Sequence, residues 1–559
     1  MSSSNETHNP YFATTHVVEN QPVELENLNL FEQDNALKEA VEREGAGWAR
    51  DEISAFGQKV GQASYIELGF QANENKPVLH IQDRFGHRID LVKFHPAYHQ
   101  LMRTSIENGL HSSPWTDPKP GAHVARTAKC YLQSQIEAGH GCPITMTFAS
   151  IPSIRRQPEL AKIWEPLITS RQYDERNLPI SQKTGLTIGM AMTEKQGGSD
   201  VRANSTKAHP VGQPGAGELY ELIGHKYFVS APMCDAFLVL AQAPGGLSCF
   251  LVPRWNSDGS KNPLQVLRLK DKMGNVSNAS SETELRGALG WMIGEEGQGV
   301  RTIIEMVSLT RFDCMMGSSS GQRLAVAHAT HHCHHRSAFG NKLDQQPLMQ
   351  NVLADLALEQ EGSLAFTMRM ARALDNQQDE SEQLLMRLGT AVGKYWICKR
   401  TPNHAYEAME CIGGSGVMEN SIFPRMFRES PVNAIWEGSG NVQCLDLLRV
   451  MAKTPAAVDV FFNEIDKAKG ENSTLDQYVL SLKKELTNLN NIEYRARNVI
   501  DRLALAFQSS LLVRNGNHAI SDLFCASRLT DNGGHNIGTM PASGDCAAII
   551  DRARPKLEV

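Results

Sequence analysis

Between about residues 187 and 290 the periodicity of this chain switches from helical to strand-like, and it switches back afterwards. The stretches "ELYELIGHKYFVS", "AFLVLAQ", "LSCFLVPR" and "LQVLRL" alternate or run apolar, and the turn signals "GQPGAG", "APGG" and "NSDGS" separate them. On the N-terminal side, residues 1 to about 35 are polar and irregular. "NALKEAVEREGAGW", with Asn35 as the expected N-cap, then opens helical stretches that run to about residue 180. On the C-terminal side "GQGVRTIIEMVSLTRFDCMMG" restores the helical period, which lasts to about residue 452. Pro455 marks a boundary, beyond which the chain reads as helical to about 514 and then as Gly, Asn and Ser in "DNGGHNIGTMPASG". The order is helices, a small β domain, helices and an added helical tail, with expected domains 1–186, 187–290, 291–453 and 454–559.

Composition narrows the setting. A net charge of -7 argues against a protein that coats nucleic acid by bulk electrostatics, although a local basic patch is compatible with it. Eleven cysteines occur singly with no CxxC pair, which fits a reduced cytoplasmic chain better than a disulfide scaffold. The polar N-terminus lacks a charged-then-apolar leader, and no run reaches the ~18 apolar residues of a membrane span. The expectation is a soluble cytoplasmic protein with no membrane partner.

Five segments carry chemistry: "GMAMTEKQGGSDVRA" (Gly189 to Ala203), "GHKYFVS" (Gly224 to Ser230), "HATHHCHHRSAFG" (His328 to Gly340), "ECIGGSGVMEN" and "NAIWEGSGN". The third puts five histidines and a cysteine within eight residues, and His331 and His335 share a helix face. No acidic or cysteine partner is spaced to complete a site, so no metal is assigned, and the histidines are expected on a helix with many of them facing solvent.

The first segment and "ECIGGSGVMENSIFPRMFRE" (Glu410 to Glu429) resemble, along their whole lengths, the acyl-CoA dehydrogenase superfamily of flavoproteins. "EAVEREGAGW", "CPITMTFA", "RLKDKMGNVSNAS", "LTRFDCMMG" and "NAIWEGSGN" narrow the resemblance to its AidB-type branch, from about residue 25 to about 515. The fold this implies is α+β and multidomain: an N-terminal α-helical domain, a middle β-barrel-like domain, a C-terminal four-helix-type domain and an extra helical domain. The cofactor it implies is FAD and the assembly a homotetramer. Branch members are associated with resistance to DNA alkylation and with binding double-stranded DNA, and the small-molecule partner is an acyl-CoA or an alkylating agent.

By the same resemblance, Met190, Ala191, Met192, Thr193, Gly197, Gly198 and Ser199 contact the isoalloxazine and ribityl chain, with Thr193 and Ser199 as side-chain donors. Phe228, Val229 and Ser230 pack against the flavin. Arg336 pairs with the pyrophosphate of a neighbouring subunit's cofactor, with Phe339 by the adenine and Gly413 and Gly414 near the phosphates. A Gly-rich loop ending in a hydroxyl residue offers amide donors without bulk, which is what a flavin's polar edge requires. Two departures bear on the phosphate end: Pro347 and Glu410 each stand where the wider family usually has Gln, and a carboxylate beside phosphates is unfavourable unless turned away or paired.

Glu437 in "IWEGSG" is the expected catalytic base, removing the α-proton of an acyl thioester. Burial in an apolar slot raises the pKa of such a carboxylate and strengthens it as a base. Gly438 and Gly440 let the backbone approach, Ser439 and Asn441 can donate to the cofactor, and Trp436 replaces a smaller Tyr and narrows the slot. A plain alternative is that Glu437 is a carboxylate stabilised by a helix N-terminus.

From Thr454 to Val559 the chain has 12 Lys+Arg against 13 Asp+Glu, but Lys483 to Arg514 has six basic residues against three acidic. Lys483, Lys484, Arg495, Arg497 and Arg502, with Arg449, are the candidate phosphate contacts, and Arg495 and Arg502 share a helical face. A solvated helical face explains the same pattern. With no base-reading signature present, any DNA binding is expected to be sequence-independent.

Overall fold

The computed structural model describes residues 15–557, so the first fourteen residues of the polar N-terminus lie outside it. The first helix, Asn35–Arg43, starts one residue earlier than its sequence signal. Asp34, not Asn35, is the N-cap: its Oδ1 accepts from the Leu37 amide at 3.0 Å, while the Asn35 amide side chain donates to the Arg552 carbonyl near the far end of the chain.

Helices Arg50–Val60, Ala63–Glu74, Pro96–Glu107, Ala122–Ile136, Gly141–Ile154 and Pro158–Ile168 build the N-terminal part. They are not continuous. A hairpin of strands Val78–Gln82 and Arg88–Lys93 interrupts them, turned by Asp83, whose carboxylate accepts from the Phe85 and His87 amides at 2.8 and 2.9 Å. Arg88 and Asp90 tie this hairpin to the β region, by a bond from Arg88 to the Val266 carbonyl at 2.7 Å and an ion pair of Asp90 with Lys261.

The β region is a barrel. Strands Ala236–Ala243, Lys207–Pro210, Leu219–Ser230, Ser280–Ile293 and Gly246–Pro253 pair in that order, and the last pairs antiparallel with the first, which closes the ring. Ile188–Ala191 adds in parallel to Ala236–Ala243, and Leu264–Leu269 adds to Ser280–Ile293. Its core is shared with the helices Gly141–Ile154 and Pro158–Ile168, through Phe148, Ile151 and Trp164.

Three long helices follow: Gly299–His335, Pro347–Asp375 and Glu380–Ile412. Arg126 and Asp313 form a buried bidentate pair at 2.9 and 2.7 Å that fastens the N-terminal helices to Gly299–His335, and Thr145 gives Asp313 a third bond at 2.8 Å. The tail continues as helices Pro455–Ile465, Ser473–Leu486 and Ile492–Arg514. Contrary to the sequence expectation it does not stop there: His518–Arg528, capped by Asn517, and Cys546–Ala553, capped by Asp545, follow. The tail shares one hydrophobic core with the long helices, where Phe366, Phe461 and Phe507 stack at 4.5 and 4.6 Å. Among the described residues no helix is long and apolar enough to cross a membrane. All eleven cysteines are unpaired.

Candidate functional site

The first two motifs are knitted together by the barrel. The Tyr227 amide donates to the Thr193 carbonyl at 2.9 Å, where strand Leu219–Ser230 breaks register between Lys226 and Val229. Glu194, which the motif reading of "AMTEKQGGSD" passes over, organises this turn. Its buried carboxylate takes the Lys226 ammonium at 2.8 Å, the Ser205 amide and hydroxyl at 2.7 and 2.8 Å, and the Thr206 amide at 3.1 Å. Burial pushes the Glu194 carboxyl up, but Lys226 and these donors outweigh it and hold the group well below the usual carboxylate range. Gly198 is required here, because a Cβ would sit 2.4 Å from Thr193 Oγ1. Met190, Met192 and Thr193 are half-buried, Ala191 is buried, and Gly197, Gly198 and Ser199 are exposed. Phe228 keeps 44% of its surface open, Val229 turns into the core, and Ser230 Oγ lies 3.1 Å from Ser280 Oγ.

Glu437 occupies a left-handed backbone conformation, φ 57°, rare for a non-glycine residue and a mark of stored strain. Three donors over-determine it: Arg311 Nε to the Glu437 carbonyl at 2.8 Å, and Lys394 Nζ and Gln443 Nε2 to the Gly438 carbonyl at 2.7 and 2.8 Å. Gly438, at φ 99°, leaves room for Gln443, which a Cβ would meet at 2.8 Å. The carboxylate does not cap a helix. Helix Gly440–Lys453 has Ser439 as its N-cap, and Glu437 Oε2 instead accepts from Thr310 Oγ1 at 2.9 Å. Burial raises the Glu437 carboxyl above its ordinary range, and Thr310, Lys394 and Arg311 offset this only in part. Trp436 is fixed by its indole N–H on Asn433 Oδ1 at 2.9 Å. Burial pushes the Cys142 thiol of helix Gly141–Ile154 up, and the nearby Glu437 carboxylate adds to this while Lys272, Asn278 and Ser230 oppose it. The β and helical contributions therefore converge on one place.

The remaining expected residues lie elsewhere in this chain. Arg336 bonds the Asn20 carbonyl at 3.0 Å, and Phe339 stands 98% exposed at the tip of a small hairpin. Gly413 and Gly414 are exposed, with open space for 4 Å around the point where a side chain would begin. These two groups share one end of the bundle, where Cys333 meets the Cys411 carbonyl at 3.9 Å. Thr310 and His335 are separated by 25 residues of one helix, about 38 Å at the helical rise of ~1.5 Å per residue. The expected site residues thus fall in two halves, well separated along helix Gly299–His335. Both halves suit a flavin dinucleotide: an open aromatic face with hydroxyls at one, a guanidinium, an exposed ring and a bare glycine turn at the other. Glu410 is the discordant group, exposed on the last turn of Glu380–Ile412, where its charge helps push up the neighbouring Glu407.

The histidines are not solvent-facing. His331 and His332 are buried and none of the five is exposed. His331 Nε2 bonds the Val23 carbonyl at 2.7 Å, His334 Nδ1 bonds Asp344 at 2.7 Å, His335 Nδ1 bonds the His331 carbonyl at 2.9 Å, and His328 packs edge-on against Phe423. Pro347 opens Pro347–Asp375, and Gln346 donates to the Ala338 carbonyl at 2.9 Å, which braces the Phe339 hairpin.

Four of the six candidate phosphate contacts rest on carboxylates: Arg449 on Asp446 at 3.1 Å, Lys483 on Asp466 at 2.6 Å, Arg495 on Glu485 at 3.1 Å, and Arg502 also on Glu485. Arg495 and Arg502 do share a face, and it turns toward helix Ser473–Leu486. Lys484 is exposed, and Arg497 donates to Asn441 Oδ1 at 2.9 Å.

Comparison with known proteins places this arrangement. Residues 20–175 match the adaptive response protein AidB N-terminal domain, 189–288 the acyl-CoA dehydrogenase middle domain, and 297–452 the acyl-CoA dehydrogenase C-terminal domain. A putative acyl-CoA dehydrogenase AidB from Escherichia coli (strain K12) is 46% identical over 522 residues, 93% of this chain and 95% of the relative. The chain belongs to the AidB-like group of the acyl-CoA dehydrogenase family. A solved member, ACDH-11 of Caenorhabditis elegans in complex with C11-CoA, superposes with a TM-score of 0.85 at 25% identity over 95% of this chain and 96% of that one. An acyl-CoA dehydrogenase complexed with FAD from Bacillus anthracis superposes with a TM-score of 0.67 over 86% of this chain and 85% of that one, and at 17% identity it speaks for the fold alone. The acyl-CoA dehydrogenase fold of helical, β-barrel and helical domains thus carries extra helices at its C-terminus.

Proposed function

We propose that this chain binds FAD and is an acyl-CoA dehydrogenase-type protein in which Glu437 takes the α-proton of an acyl thioester. The observation that carries this is the Glu437 loop: a strained backbone held by three side-chain donors around a carboxylate whose basicity burial increases. Thr310 engages Oε2, which leaves Oε1, with no hydrogen bond among the described residues, to receive the proton. FAD, when bound, would supply the hydride acceptor for the β-hydrogen. Phe228, Thr193 and Ser230 on the barrel, with Ser439 and Asn441 beyond Glu437, are the residues that would hold the isoalloxazine end. Arg336, Phe339, Gly413 and Gly414 would hold the dinucleotide end of a neighbouring copy's cofactor, consistent with a homotetramer.

A second reading rests on the likeness to AidB: sequence-independent binding of double-stranded DNA and a part in the adaptive response to alkylation, with weak dehydrogenase turnover. The exposed side chains of Lys484 and Arg497 favour it; the carboxylates on Arg449, Lys483, Arg495 and Arg502 weigh against a broad phosphate-binding face. An anaerobic titration with a panel of acyl-CoAs separates the two. Stoichiometric bleaching of the flavin that Glu437→Gln abolishes supports the dehydrogenase reading. A flavin that stays oxidised with every acyl-CoA defeats it and moves the question to salt-dependent DNA binding.

A further inference from the structure

Two of the cations that local charge assigns to a DNA surface end, in the fold, at the acyl site. Arg497, on helix Ile492–Arg514, donates Nε to Asn441 Oδ1 at 2.9 Å, and Asn441 opens helix Gly440–Lys453 directly after the Glu437 loop. Arg449, on the outer side of that same helix, holds Asp446 Oδ1 at 3.1 Å. Asp446 Oδ2 takes Arg311 Nη1 at 3.1 Å, and Arg311 Nε donates to the Glu437 carbonyl at 2.8 Å. Arg449 is the outer end of a chain of hydrogen bonds that ends on the Glu437 carbonyl, and Arg497 holds Asn441 in the first turn of the helix that leaves the same loop. The loop has reason to be held. A non-glycine residue in a left-handed conformation costs roughly 1–3 kcal/mol and persists only where its surroundings over-determine it.

We propose that Arg497 and Arg449 are positioning residues for Glu437, so that the C-terminal helices hold the acyl site in register as part of one unit with it. This rests on the reading of Glu437 as the α-proton base. The two links differ in redundancy. Asp446 is also held by Arg387, at 2.7 and 2.9 Å, and by Arg311, whereas the Asn441 oxygen has Arg497 alone among the described residues. Loss of Arg497 therefore has the larger effect.

The test uses the full FAD-loaded chain with Arg497→Met and Arg449→Met, which keep the aliphatic stem, and Arg497→Lys, which restores a donor. Hydrogen exchange of the peptide spanning residues 433–446 accelerates by at least about fivefold in Arg497→Met, less in Arg449→Met, and returns toward wild type in Arg497→Lys, while strand Ser280–Ile293 is unchanged. In the same samples flavin bleaching by an acyl-CoA slows by about tenfold or more at unchanged acyl-CoA affinity, because misplacement of a base acts on the rate. Unaltered exchange in Arg497→Met overturns the proposal, as does an acceleration spread evenly through the barrel. Variants that lower only the salt slope of DNA binding would make these residues phosphate contacts and overturn it too. If no acyl-CoA bleaches even the wild-type flavin while the exchange pattern holds, the base assignment falls and the brace stands.

Discussion

Thr310 Oγ1 lies 2.9 Å from Glu437 Oε2 and 3.0 Å from the Val307 carbonyl, two acceptors for one hydroxyl proton. With Glu437 ionised, the hydroxyl donates to the carboxylate. With Glu437 protonated on Oε1, Oε2 is left a weaker, neutral acceptor, and the hydroxyl can turn to Val307. A threonine at this point favours the ionised base over its protonated form, across 127 positions of sequence.

Thr310→Val removes the bond that favours the charged carboxylate. Glu437 must be ionised to act, so the rate of flavin reduction rises with pH through its pKa. In the variant that midpoint moves upward by roughly one unit, and the rate at neutral pH falls by up to about tenfold. Stopped-flow reduction across pH 5 to 9 reads both, and a midpoint that stays or falls removes Thr310 from this role.

Lys226→Met strips the buried Glu194 of its partner while keeping most of the side-chain volume. An uncompensated buried charge destabilises by about 3–5 kcal/mol, here in the turn that arranges Thr193 and Gly198. The expected outcome is loss of flavin at temperatures where far-UV circular dichroism is still native. The carboxyl of Glu194 is held below its ordinary range, so its stabilising contribution is present above the unfolded-state pKa and lost only as pH falls through the folded value. In wild type, mild acid leaves flavin retention at this turn intact. A variant that keeps its flavin at the wild-type melting temperature would mean that Glu194 needs no cation.

Buried neutral histidines set an acid limit. Burial pulls His404 and His111 down to about 4, each with one ring nitrogen on a backbone carbonyl, of Leu356 at 3.0 Å and Ser170 at 2.9 Å. A histidine with a depressed folded pKa lets the unfolded chain take the proton first. Stability is therefore complete above the unfolded value of about 6.5 and drains away as pH falls toward the folded one. The melting temperature is expected to drop steadily from pH 6.5 to 4. His404→Gln, which keeps a donor for Leu356, flattens that slope by about one proton; equal slopes in both proteins would exclude His404 as a contributor.

The order of helical and strand regions was legible because the 2-residue and 3.6-residue periods differ so plainly across the barrel. Glu437 was legible because its neighbours Gly438, Ser439 and Gly440 announce a tight loop. The hairpin at residues 78–93 was not: its first strand is exposed at four of five positions, so no buried stripe marks it. The partners that make Glu437 a base were equally hidden, since Thr310, Arg311 and Lys394 come from distant helices and no spacing rule connects them. Counting charges misled for a related reason. Glu485 lies ten and seventeen residues from Arg495 and Arg502, yet the turn between two helices brings it onto both. The histidine run reads as a surface feature because two of its partners, the Val23 and His331 carbonyls, are backbone groups to which side-chain spacing is blind, and the third, Asp344, lies beyond the helix.

The 37-residue helix Gly299–His335 has a consequence for inheritance. It keeps the Glu437 end and the Arg336 end of one polypeptide apart, so in the proposed homotetramer each intact site would draw its two ends from different polypeptides. A copy broken at Glu437 and a copy broken at Arg336 would each be inactive alone. Co-expressed, they would regenerate whole sites at the junctions where an undamaged end of one meets an undamaged end of the other. Two such alleles would complement within a single gene, and the fraction of activity restored would count how many junctions the assembly contains.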